Sequence, residues 1–183
     1  RQRVSPFDGP VMTRPNAVQH PSDYAAPVLT APVDGRQSAA ALAIARGTQR
    51  LFAQLGYASV AEISFPNGRR ADLVALGAKG EIWIAEIKSG LADYAADSKW
   101  PEYLDYCDKF FFAVDPEFPA DVLPPDVGVI IADRFGADIV VESPLDKLAA
   151  ARRKTVHTLC ARTAAMRLHR LCDPDAGLDR IDV

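Results

Sequence analysis

The segment RRADLVALGAKGEIWIAEIKSG, residues 69–90, limits the fold more than any other part of the chain. It reads as two strands joined by a tight turn. Yet it carries Asp72, Glu86 and Lys88 where a sheet normally places apolar side chains. Turn chemistry fixes which residues face one another. A two-residue Asn67-Gly68 hairpin would leave Pro66 in a strand end without a donor. A three-residue turn suits Pro66-Asn67-Gly68 better, with proline at the first corner and glycine at the left-handed position. Phe65 then faces Arg69 and, counting inward, Glu62 faces Asp72. Ala78-Lys79-Gly80 has the same form, so Gly77 faces Glu81, Asp72 faces Glu86 and Arg70 faces Lys88.

Glu62, Asp72 and Glu86 thus form a row across three adjacent strands. Side chains alternate with period two, so Lys88 shares their face. The opposite face carries Ala61, Ile63, Phe65, Leu73, Ala75, Trp83, Ala85 and Ile87 and is expected to be the core. Opposed side chains start about 4.5–5.5 Å apart, and like charges there are destabilising. The row needs a positive partner, either Lys88 or a divalent cation. Mg²⁺ and Mn²⁺ prefer carboxylate oxygens and water. A surface ion-pair cluster is the plain alternative, but IWIAEIK is too apolar for a solvent-washed strand.

Residues 1–36 contain six prolines and little periodic apolar pattern, which predicts an extended arm. A helix is expected from Ser38, its cap, to Leu55. Strands are expected at about 58–65, 69–76 and 81–88. Helical turns follow, with Pro101 opening a new one. The short apolar runs at 110–114 and 127–133 read as buried strands, and 137–143 as another. A long helix runs from Leu148 to Leu171, and residues 173–183 form a tail. The sum is an α/β fold with a mixed central sheet flanked by helices.

Net charge is −3, unevenly spread. Residues 61–146 hold seventeen acidic and seven basic side chains, whereas 147–172 hold seven basic and none acidic. That division suits carboxylates that hold cations beside a surface for a polyanion; a solvated basic helix face is the alternative. Three widely spaced cysteines without a CxxC argue against a disulfide framework or zinc site and fit a reducing cytoplasm. No apolar run approaches the roughly 18 residues of a membrane span, and no charged-then-apolar leader is seen.

A carboxylate-bound metal beside a lysine suits phosphoryl transfer. The metal polarises a phosphate oxygen and supplies hydroxide, and the lysine orients water or offsets developing charge. No GxSxG or glycine-rich phosphate loop is present, and the three histidines lie in the arm and the last helix.

Asp72, thirteen intervening residues and Glu86-Ile87-Lys88 resemble the Asp…Glu-x-Lys signature of the PD-(D/E)XK nuclease superfamily. The longer strings GRRADLVAL (68–76), IWIAEIKSG (82–90) and DSKWPEYLDYCDKFFFAV (97–114) resemble the MmcB-like family of bacterial DNA-repair-associated proteins over roughly residues 38–145. The resemblance implies a restriction-endonuclease-like core over 37–172 and a Mg²⁺- or Mn²⁺-dependent deoxyribonuclease. Asp72 and Glu86 would be metal ligands, the Ile87 carbonyl a third, and Lys88 the catalytic lysine. Many relatives also carry an acidic ligand on the first helix. Here that helix has none, so either Glu62 replaces it from the first strand or Gln49 stands nearby. Arg69, Arg70 and Lys99 are expected to touch DNA. Trp100, Tyr103 and Tyr106 either pack on a base or sugar or belong to the core, and Arg152, Arg153, Lys154, Arg162, Arg167 and Arg170 either line phosphates or face solvent. An adaptor that binds DNA on a nuclease-like scaffold is the alternative function. Expected partners are DNA, with a second copy of the chain and other repair proteins as further candidates, and no membrane.

Overall fold

The structure, a computed structural model, describes residues 38–173; the arm, and the tail beyond Asp173, lie outside them. In chain order come α1 (Ala39–Gln54), β1 (Ala58–Ser64), β2 (Arg70–Leu76), β3 (Ile82–Lys88), α2 (Leu91–Ala96), a 3₁₀ segment (Trp100–Tyr106), β4 (Lys109–Val114), β5 (Gly128–Ala132), β6 (Ala137–Val141) and α3 (Ala150–Cys172). The six strands form one sheet in that order. β1, β2 and β3 are antiparallel, β3, β4 and β5 are parallel, and β6 returns antiparallel. This is a mixed sheet flanked by helices, an α/β fold in keeping with a restriction-endonuclease-like core. Among the described residues, no helix is long and apolar enough to cross a membrane.

Both hairpin turns hold three residues. Phe65 N–H donates to the Arg69 carbonyl (2.7 Å) and Gly77 N–H to that of Glu81 (2.8 Å). Each turn ends on a glycine with positive φ, 79° at Gly68 and 87° at Gly80, where a Cβ would be strained. The register follows: Ala61 pairs with Leu73, Ile63 with Ala71, and Leu73 with Ala85. By count, Glu62 lies opposite Asp72 and Asp72 opposite Glu86.

Both faces of the sheet are core, not one. α1 lays Ile44, Leu51 and Phe52 over Leu73, Ala75, Ala85, Phe111 and Ile130. On the other face Val156 and Cys160 of α3, with Tyr103, cover Ile82, Ile84, Phe110 and Phe112. The expected single core face is corrected in a second respect. Ile63 and Phe65 pack into the α3-side cluster, while Ala61 packs on the α1 side. The cause is Glu62, whose φ of 52° breaks the alternation of β1. The Arg167 guanidinium, arriving from α3, donates to the Ala61 and Glu62 carbonyls at this break.

α3 is pinned to the sheet by Asp108, which is 3% exposed. Its carboxylate accepts from the backbone N–H of Ile82 (2.8 Å) and Leu148 (2.9 Å) and from both terminal nitrogens of Arg153 (2.7 and 2.6 Å). Burial alone would raise its pKa, but these donors hold the carboxyl below the usual range.

Candidate active site

Backbone pairing between β2 and β3 runs from Leu76↔Ile82 to Leu73↔Ala85 and stops there. Beyond that point the two carboxylates take over. Asp72 N–H donates to Glu86 Oε1 (3.2 Å), and Ile87 N–H donates to Asp72 Oδ2 (2.9 Å). Each acid thus satisfies a part-buried backbone donor that strand pairing leaves without a partner.

Asp72, Glu86, Ile87 and Lys88 line one cleft of about 360 Å³, with Ser38 at the α1 start and Asp93 of α2 on its wall. Ser38 caps α1 through Ala41 N–H (3.1 Å). Asp93 accepts from Ser89 N–H (3.0 Å), which ties the end of β3 to α2.

Glu86 is 4% exposed. Burial, and then the neighbouring Asp72 charge, push its carboxyl up to about 9. Asp72 is also raised, chiefly by burial, against the lowering effects of Ile87 N–H and the Lys88 charge. Lys88 is buried too, which alone would favour the neutral amine. Its Nζ, however, donates to Asp97 Oδ2 at 2.6 Å, and this partner keeps the ammonium above its ordinary value. Burial opposes ionisation of Asp97, but Lys88 and the Lys99 N–H (2.9 Å) outweigh it and lower the carboxyl. The arrangement therefore sets a charged ammonium beside two acids whose surroundings disfavour their ionisation, Glu86 the more strongly.

The structure brings Asp72, Glu86, Ile87 and Lys88 together and leaves Glu62 and Gln49 out of the cleft lining. The Glu62 carboxylate lies 3.6 Å from Arg70 Nη2. Among the described residues, no three His, Cys, Asp or Glu side chains gather as a metal-binding group. Arg69 pairs with Glu102 (2.8 Å), and Lys99 is exposed. Trp100 stacks on Phe110, Tyr106 stacks on Phe65, and Tyr103 is 7% exposed with its hydroxyl donating to the Arg70 carbonyl. Tyr103 is a core side chain, and Trp100 and Tyr106 are half-buried and pack against that core. On α3, Arg152 pairs with Asp105, Arg153 with Asp108, and Arg167 with β1 carbonyls, while Lys154 and Arg162 are exposed. Asp97, Asp93 and Ser38 were not expected at the site. One signal pointed to Asp97: a buried lysine needs an acceptor, and DSK offers one nine residues downstream.

A family model described as "DNA repair protein MmcB-like" matches residues 29–175. Among solved structures, a protein of unknown function from Silicibacter pomeroyi is similar, with a TM-score of 0.76 and 44% sequence identity over 79% of this chain and 99% of that one. Among curated proteins, no sequence matches.

Proposed function

The chain belongs to the MmcB-like family of DNA repair proteins, which implies a role in DNA repair, and from that premise we propose that it is a metal-dependent nuclease that hydrolyses DNA phosphodiesters. The observation that carries the proposal is the convergence of Asp72, Glu86 and Lys88 on one cleft. Two adjacent buried acids with raised pKa values gain from a cation. Their donors are all oxygen, which suits Mg²⁺ or Mn²⁺; these ions bind through one or two carboxylates and complete their shell with water and phosphate. Asp72, Glu86 and the Ile87 carbonyl would hold the ion. Once bound, it supplies Lewis-acid polarisation and a water that ionises near neutral pH. Lys88, kept charged by Asp97, offsets negative charge that grows on the phosphate. Arg69, Arg70 and Lys99 contact phosphates along the strand.

The test is cleavage of labelled single-stranded and duplex DNA with Mg²⁺ or Mn²⁺. Glu86→Gln and Lys88→Met are expected to lower the rate by about 10²-fold or more. Full activity in either variant refutes the assignment. One observation favours a second reading, a DNA-binding adaptor with little catalysis: Asp93 lines the same cleft, yet no third acidic side chain gathers with Asp72 and Glu86 as a metal-binding group among the described residues. Calorimetric titration separates the two. No heat with millimolar Mn²⁺, together with intact DNA binding, supports the adaptor.

A further inference from the structure

Arg134 and Phe135 form the tip of the β5–β6 turn. Phe135 is 68% exposed, more than any other large apolar side chain among the described residues. The Arg134 guanidinium lies over its ring, 4.5 Å from the centroid. The turn is firmly built. Asp133 Oδ1 accepts from the N–H of Phe135 (2.7 Å) and Gly136 (3.0 Å). Arg50 of α1 donates to the carbonyls of Arg134 (3.0 Å) and Phe135 (2.9 Å). α1 approaches so closely that a Cβ at Gly47 would stand 2.1 Å from the Asp133 carbonyl oxygen. Nothing in the packing accounts for an aromatic ring fixed in water.

Its position in the sheet offers an account. β3, β4 and β5 are parallel, and Lys88 pairs with Val114, which pairs with Ile131. The tip therefore leaves the same end of the sheet as the cleft, two strands over from Lys88. The two strands stand roughly 10 Å apart across the sheet, and the tip projects beyond β5, a span that a few nucleotides of a single strand cover.

We propose that Arg134 and Phe135 form a second DNA contact, in which Phe135 stacks on an unpaired base and Arg134 takes an adjacent phosphate. Stacking on a protein ring needs a base face freed from its neighbours, so the ligand is single-stranded DNA. A second copy of the chain is a poorer occupant, since one protruding ring does not supply the roughly 800 Å² per partner of a stable protein interface. The inference rests on the reading that DNA occupies the cleft.

The experiment is fluorescence anisotropy of the full chain with labelled single-stranded and duplex oligonucleotides, in EDTA and over a range of salt. Phe135→Ala is expected to weaken single-strand binding about tenfold, to change duplex binding far less, and to leave thermal stability unaltered. Phe135→Trp is expected to retain affinity. Arg134→Ala is expected to flatten the plot of log K against log salt by about 0.7 on the single strand. Wild-type affinity in Phe135→Ala overturns the proposal. So does a change of oligomeric state in that variant on size exclusion, or an absence of DNA binding by the wild type. If Glu86→Gln leaves cleavage unaffected while the Phe135 effect stands, only the nuclease reading falls.

Discussion

Glu86 and Lys88 sit two residues apart on one strand, both nearly buried, yet their surroundings favour a protonated acid and a charged amine. For Glu86, the folded carboxyl near 9 lies above its ordinary value of 4.5. Its bound proton contributes stability that is complete below about pH 4.5 and is lost as pH rises toward 9. Wild-type stability should therefore fall between pH 5 and pH 9, and Glu86→Gln should remove part of that fall, on the order of 1 kcal/mol. Thermal unfolding of the two proteins at pH 5 and 8.5 checks this; parallel pH profiles would refute it. Lys88 depends on Asp97, so Asp97→Asn should lower turnover about tenfold or more, the worth of a charged hydrogen bond, with little change in KM for DNA. Asp97→Glu should recover part of the loss. Steady-state kinetics of the three proteins decide it.

At the scale of elements, the pin between α3 and the sheet is Asp108. Its removal leaves two backbone donors without an acceptor, while Arg153 keeps the Gly80 and Leu148 carbonyls, so Asp108→Ala is expected to cost about 2–4 kcal/mol in denaturant unfolding. The carboxyl is held below its ordinary value of 3.8. Its contribution is therefore present above that value and lost as pH falls through the lower folded one, and Asp108→Asn should blunt acid unfolding. The elements themselves were legible because local chemistry wrote them. The glycines that close both hairpins fixed turn length, turn length fixed register, and register brought Asp72 and Glu86 together. FFFAV, apolar at every position, announced a strand covered on both sides. The kink at Glu62 left no such mark. It coincides with bonds from Arg167, 105 residues away, and no local pattern encodes such a contact. Asp97 escaped for a similar reason, since it lies in a helix connection whose path across the sheet only the fold determines.

At the scale of the molecule, a net charge of −3 means that the proposed attraction to DNA has to come from local groups, and the end of the sheet that bears the cleft gathers them. Arg70 begins β2 there, and Arg134 follows β5 there. An ion held in the cleft as proposed should also report itself through global stability. Mn²⁺ at a hundred times its Kd is expected to stabilise the fold by about 2.7 kcal/mol, and Asp72→Asn should abolish the gain. A thermal-shift titration measures both. The two acids have a second consequence, because each also seals the mouth of the β2–β3 hairpin by taking the other strand's backbone hydrogen. A relative with no nuclease activity would still be penalised for discarding either one. Their presence in any cousin is therefore accounted for by folding alone and is not by itself a badge of catalysis.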